Sequence, residues 1–376
     1  MASTHVIIIS AQPVPNLIPV ISMKPERVIM LVSQQMVRQA ERLRAFLENR
    51  GISVSEQLID PYDMAQVEQV CVAVIKEEQP ASIILNATGG TKIAAFGAFA
   101  AFRHYNLPIF YFDPQQWRIV SLDGSGTPPH EPCSELSVAD YLAVHGKKVI
   151  SDIGTDEVFE NRLPLTRWLS EHLPQSGLMP VLNMFVTESL VKKTFPFARQ
   201  FERYFNPAFT PLLKRLNAEG IIRWEAKTKT VIFESDSNAA YIGGFWLEEY
   251  VFDVVRGLAV HDVRRNVRVF WDSSGITNEF DVVFTDRSRL FLISCKTSKL
   301  GSEKQYKDKN PVYELDSLKD DAAGLYGKGI LVSASPLGTE LKKRADTLEL
   351  VSINAGDLKW LASKLKIALK QTGHAI

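Results

Sequence analysis

The stretch NEFDVVFTDRSRLFLISCKT, residues 278–297, sets an acid in one apolar run and a lysine in the next. The four residues DRSR between the runs suit a hairpin connection. With the turn centred on Arg287–Ser288, Asp281 faces Ser294 and Glu279 faces Lys296. Period-two alternation then puts Glu279, Asp281, Ser294 and Lys296 on one face, and Phe280, Val282, Phe284, Phe291, Ile293 and Cys295 on the other. Two carboxylates and a lysine converging on a sheet face meet the needs of metal-dependent phosphodiester hydrolysis. The acids hold Mg²⁺ or Mn²⁺, which polarises the phosphate and lowers the pKa of a bound water, and the lysine stabilises charge developing on the phosphoryl oxygens. An acid and a lysine on a hairpin can equally form a plain ion pair, so this stretch does not decide the matter alone. Upstream, GGFWLEEYVFDVVRGL (243–258) has helical spacing at Trp246, Tyr250 and Val254 and carries Glu248 and Glu249.

A second candidate is NATGGTK, Asn86 to Lys92. Gly89 and Gly90 let the backbone turn tightly beside a ligand, Thr88 and Thr91 offer hydroxyls, and a helix follows at once. The free N–H groups of that helix and the Lys92 ammonium favour an anion. The same residues also make an ordinary strand-to-helix turn with a threonine cap. Neither the phosphate loop GxxxxGK[ST] nor the dinucleotide fingerprint GxGxxG is present. The loop SAQPVPNL, after the first apolar run, places Gln12 and Asn16 at the same sheet edge.

The elements that must position these residues form three groups. In the first, HVIIIS, RVIMLVS, ISVSEQLI, SIILNAT and PIFYFD read as strands, with helices between them such as MVRQAERLRAFLENRG, which stops on Gly51. The alternation predicts a doubly wound, mainly parallel sheet with its ligand at the carboxyl ends of the strands. Residues 121–137, rich in Gly, Ser and Pro, read as an exposed connection. In the middle, FARQFERYF, FTPLLKRLNAEGI and IRWEAKTKTVIFES read as helix, helix and hairpin, the order of a winged helix. From about 236 the pattern is helix, strand, strand, then mixed α/β. The expected boundaries are 1–148, 149–235 and 236–376.

Composition limits the function classes. Among 376 residues, 43 Lys and Arg balance 43 Asp and Glu, so any contact with nucleic acid must come from a local patch. The run KTSKLGSEKQYKDKN (296–310), with five lysines and Tyr306, could supply one, tracking a single strand and stacking a base. Three dispersed cysteines and the absence of HExxH or HxxxH exclude a disulfide framework and the common zinc motifs. The N-terminus lacks the basic lead of a signal peptide, and no stretch is long and apolar enough to span a membrane. The expected location is the cytoplasm.

Taken together, Q-x-x-P-N after the first strand and N-x-TGGTK after the fourth resemble the ligand loops of CARF domains, the Rossmann-like sensors of CRISPR type III defence. The resemblance implies a homodimer that binds one ring of cyclic oligoadenylate, such as cyclic tetra-adenylate, on its twofold axis through Gln12, Asn16, Thr88, Gly89, Gly90, Thr91 and Lys92. The remainder resembles the PD-(D/E)xK nucleases fused to such sensors. GGFWLEEYV, NEFDVVF, SCKT and YELDSLKDDAAGLYGKGILVSA (313–334) occur in family order. The resemblance implies Glu248 as helix acid, Asp281 as metal acid and Lys296 as the catalytic lysine, with Glu248, Asp281 and Glu279 around Mn²⁺ or Mg²⁺. Ser294 departs from the pattern, because the family has a carboxylate two residues before the lysine. A hydroxyl is a much poorer ligand for a hard cation. Either Glu279 or a water compensates, or the site is retired. The leading expectation is a messenger-gated nuclease acting on single-stranded RNA or DNA. The alternative is a ligand-sensing transcription regulator whose nuclease domain is inactive. Cleavage of the messenger by the sensor itself stays open.

Overall fold

The computed structural model describes residues 4–78, 82–124, 129–133, 135–271, 275–298 and 311–371. Its first sheet contains β1 (Thr4–Ile8), β2 (Arg27–Val32), β3 (Ser53–Leu58), β4 (Ile83–Asn86), β5 (Ile109–Asp113) and β6 (Arg118–Ser121), ordered β3-β2-β1-β4-β5-β6. The first five run parallel, and β6 folds back against β5 as an edge strand with no separate signal in the sequence. The order reverses between β1 and β4. At that switch point the loops leaving the two strands part and open a crevice.

Within QPVPN a helix starts at Val14, where the sequence suggested a loop throughout. Val14–Met23 is helical, and Pro15 sits in its first turn, where no N–H is required. Pro19, inside the helix, lacks the N–H that would bond to the Pro15 carbonyl. Asn86, at the end of β4, supplies the missing donor: its Nδ2 reaches Pro15 O at 3.3 Å. Its Oδ1 accepts from Thr88 N–H at 3.0 Å. One buried side chain therefore fixes both loops of the crevice.

In the middle region, helices Glu157–His172 and Met179–Lys192 precede a three-stranded antiparallel sheet of β8 (Phe197–Gln200), β9 (Arg223–Glu225) and β10 (Thr230–Phe233), ordered β8-β10-β9. Helix Thr210–Ala218 and the β9–β10 hairpin match expectation. FARQFERYF does not, because it begins as a strand. Phe197 is buried and Ala198 exposed, and pairing with β10 satisfies its backbone. Four residues are too few for helical and strand periods to separate in sequence.

The last sheet is mixed, ordered β15-β14-β13-β12-β11-β7. It comprises β11 (Asp262–Trp271), β12 (Thr277–Asp286), β13 (Arg289–Lys296), β14 (Lys328–Ser333), β15 (Val351–Ile353) and β7 (Lys147–Ile153). The expected 148/149 boundary falls inside β7, which pairs with β11. Helix Pro311–Ala323 covers β13 and β14.

Two apolar cores flank this sheet. One packs Trp246, Leu247 and Val251 of helix Trp246–Arg256 against Val282, Phe284, Phe291 and Ile293. The other is shared with the first sheet: Met30, Phe110, Phe112 and Tyr141 meet Val267, Val283, Leu290, Leu292 and Leu331. Phe280, expected beside Val282 and Phe284, lies in this shared core against Trp271. The β11–β12 ladder skips the position where Asn266, at φ +48°, opposes Asp281, and the alternation breaks there.

Polar contacts reinforce the shared core. Arg289 Nη2 donates to Pro114 O at 2.8 Å and Gln115 O at 3.0 Å, and the buried Tyr141 hydroxyl donates to Ala323 O at 2.9 Å. Tyr141→Phe strands that carbonyl away from water. We expect a loss of about 1–3 kcal/mol in urea unfolding, with the first and last sheets melting in one transition. Two separate transitions in the parent would contradict a common core.

Candidate active site and ligand crevice

The β12–β13 hairpin closes through Arg287 and Ser288, with φ of +46° and +44°. Both central residues are left-handed, as in the two-residue turn that matches strand twist. Neither is glycine, so tertiary contacts must offset the strain. Ser288 is buried, and its Oγ accepts the Leu136 N–H at 2.8 Å. The register runs from Asp286↔Arg289 to Val282↔Ile293, as a turn centred on 287–288 requires.

That ladder ends at Val282↔Ile293, while β13 stays paired with β14 as far as Lys296↔Ser333. Cys295 N–H, released from β12, donates to Asp281 Oδ2 at 2.6 Å. A side chain thus fills a position vacated by the ladder and fixes one carboxylate where the strands part. Glu279, Asp281, Ser294 and Lys296 line one cleft of about 100 Å³, closed by Glu314, Leu315 and Leu318 of helix Pro311–Ala323. Glu314 carried no sequence signal beyond being an acid in a first helical turn.

Glu248, on helix Trp246–Arg256, which one π-helical turn, Tyr241–Phe245, precedes, is not part of the cleft wall but lies close enough to feel the charges of Asp281 and Glu279. Its Oε2 accepts from Asn266 Nδ2 at 2.7 Å. Burial, and then the charges of Asp281 and Glu279, push its carboxyl up to about 8 against the pull of Asn266 and Lys296. Asp281 is also raised, chiefly by burial, with Glu279 and Glu314 adding to it and Lys296 and the Cys295 N–H opposing. Glu249, the neighbouring acid in sequence, is committed elsewhere: it is buried against Arg162 and Arg265.

Among the described residues, no three His, Cys, Asp or Glu side chains are drawn into a closed metal cage. Glu248 turns to Asn266 and Asp281 to a backbone N–H. The donor set still suits a hard divalent cation: it is all carboxylate oxygen, and the burial and mutual repulsion that raise Glu248 and Asp281 are what such a cation relieves.

The crevice of the first sheet, about 350 Å³, lies where its topology requires, lined by Ser10, Ser33, Tyr62, Gly90 and Thr91 among others. Thr91 caps helix Lys92–His104 by accepting the Ala94 N–H at 3.1 Å, and its hydroxyl donates to Pro61 O. Gly90 has φ +80°, and a Cβ on Gly89 would lie 2.1 Å from Ile8 O, so both glycines are required. Lys92 is exposed at the first turn of the helix. Asn16 and Thr88 are tied into the protein, Asn16 by Nδ2 on Ile8 O at 2.7 Å and Thr88 by Oγ1 as acceptor for Phe112 N–H at 2.8 Å, while Asn16 Oδ1 is buried without a hydrogen-bond partner among the described residues. Gln12 points away from the crevice, its Oε1 accepting the Leu325 N–H at 3.3 Å. Ser33 and Tyr62 carried no signal of their own in sequence, although they follow β2 and β3 at the same sheet edge.

Two family models match the chain, the Card1 CARF domain at residues 4–141 and the Card1-like endonuclease domain at residues 235–368. The chain belongs to the CARF-domain nuclease family. Solved relatives agree over its full length. Protein VC1899 from Vibrio cholerae superposes with a TM-score of 0.86 at 23% identity, covering 99% of each chain. Can2 from Sulfobacillus thermosulfidooxidans, in complex with cyclic tetra-adenylate, gives 0.82 at 27% identity, covering 99% of this chain and 98% of Can2. A type III CRISPR defence DNA nuclease activated by cyclic oligoadenylate shares the fold at 0.51 and 17% identity, over 89% of this chain and 45% of that one. No curated protein matches this CARF-domain nuclease in sequence. Among its described residues, no helix is long and apolar enough to cross a membrane.

The raised Glu248 gives a pH signature. With a native pKa of about 8 against an ordinary 4.5, the folded protein holds an extra proton between those values, so metal-free stability falls as pH rises through that window. Glu248→Gln removes the penalty, at about 1.4 kcal/mol for each tenfold change in proton affinity that is relieved. We expect the variant to melt above the parent at pH 8, with the difference closing near pH 4.5. Parallel pH profiles would show that Glu248 ionises normally.

Proposed function

We propose that this CARF-domain nuclease hydrolyses phosphodiester bonds of single-stranded RNA or DNA, and that cyclic tetra-adenylate held between two copies switches it on. Asp281, Glu248 and Glu279 would hold Mn²⁺ or Mg²⁺, which when bound polarises the scissile phosphate and acidifies a water. Asp281 is held in position by the Cys295 N–H. Lys296, in the same cleft, would balance the negative charge on the phosphoryl oxygens as water attacks the phosphorus. The preference for single strands rests on the lysine-rich run 296–310 with Tyr306; of that run, residues 299–310 lie outside the described residues.

The observation that carries the gated reading is the continuity between crevice and cleft. Gln12, from the loop after β1, bonds to Leu325, and that residue follows the helix whose first turn closes the catalytic cleft. A ligand that moves the loop therefore acts on an element of the active site. The test is cleavage of labelled single-stranded RNA and DNA with Mn²⁺, with and without cyclic tetra-adenylate. We expect activity only with the activator. Lys296→Ala should reduce it by roughly 100-fold or more, on the order of what one positioned charge contributes, and Lys92→Ala should raise the activator concentration required. A parent that cleaves neither strand type with metal and activator present sinks the proposal.

A twofold partner is proposed on the same grounds, since a ring ligand is matched by two copies of one anion-binding loop. The surface beside that loop supports it: Tyr62, Met64, Ile93 and Phe96 are all exposed. Phe96→Glu should convert a dimer to a monomer by light scattering and weaken activator binding. A parent that is monomeric with and without ligand contradicts the dimer.

A further inference from the structure

We infer that Glu314 supplies the carboxylate that this site lacks at Ser294. The inference rests on the metal-dependent nuclease reading and deepens it. A neutral hydroxyl two residues before Lys296 leaves the cleft short of one charged oxygen ligand. Glu314 lies in the wall of the same cleft, entering from helix Pro311–Ala323 opposite the β12 acids. Glu314, Asp281, Ser294 and Lys296 all line this one cleft of about 100 Å³, so the two carboxylates share one confined space.

No structural duty competes for it. The Glu314 side chain is exposed, and among the described residues its carboxylate makes no hydrogen bond or ion pair. The next acid on the helix contrasts with it: Asp316 pairs with Lys319 at 2.8 Å. Leu315 and Leu318 from the same helix and Leu292 and Ile293 from β13 line the cleft with it, fixing the helix over the strand that bears Ser294. The carboxylate lost from the strand is thus replaced from the helix lying across it, and the same helix ends at the Gly324–Leu325 turn that Gln12 touches.

The test is calorimetric titration of the full-length protein with Mn²⁺ alone, which reads ligation without activity. Glu314→Gln should bind Mn²⁺ at least about tenfold more weakly than the parent, the low end of what metal-shell changes cost, while melting at the parent's temperature in chelator. Ser294→Glu added to Glu314→Gln should recover most of the affinity, and Asp316→Asn should bind as the parent does. A folded Glu314→Gln that binds Mn²⁺ as tightly as the parent overturns the inference. So does a folded double variant that regains nothing, because the two positions would then not be equivalent. If the parent itself binds no Mn²⁺ at millimolar concentration, the metal-dependent reading falls first and this inference with it.

Discussion

A two-residue turn in which Arg287 and Ser288 both take left-handed φ sets the pairing of β12 with β13, and so decides which side chains face the cleft. Side chains alternate along a strand, so a slip of one residue would send Asp281 and Lys296 to the opposite face. The turn is built from residues that disfavour its geometry. It is held by the Leu136 N–H on Ser288 and by Arg289 on the carbonyls of Pro114 and Gln115. All three supporting groups belong to the CARF domain, so the register of the nuclease hairpin is clamped from outside its own domain.

The same dependence appears in the packing. The core between the two sheets is common property, with Tyr141 buried in it and bonded to the end of helix Pro311–Ala323. Close-packed interiors transmit displacement poorly as a continuum but well as a switch between discrete arrangements. A sensor joined to its effector by a packed core, rather than by a linker, has few independent ways to move. That suits gating.

Electrostatics set the other constraint. Asp281, Glu279 and Glu314 line one cleft with a single described lysine, Glu248 lies within reach of their charges, and burial raises the cost of charging Glu248 and Asp281. A fifth carboxylate at position 294 would add to that repulsion. Serine there avoids that repulsion, while the Glu314 carboxylate sits on an exposed helical turn.

The hairpin, its register and the meeting of Glu279, Asp281 and Lys296 in one cleft were legible in the sequence because period and turn length are local properties that neighbouring residues carry. So were the five parallel strands and the helix cap after TGGTK. What the sequence left undetermined depended on partners far along the chain. QPVPN reads as a loop because its prolines break helices, and a helix starts within it because Asn86, 71 residues away from Pro15, supplies a donor in place of the missing N–H. FARQ is a strand because β10 lies beside it, and Lys147–Ile153 belongs to the last sheet because β11 does. Asn16 and Thr88 look like ligand groups in sequence, but tertiary contacts engage Asn16 Nδ2 and the Thr88 hydroxyl inside the protein. Glu314 looks like any surface acid. Only the crossing of its helix over β13 brings it to Asp281, since convergence of charges is a property of packing and leaves no period in the chain.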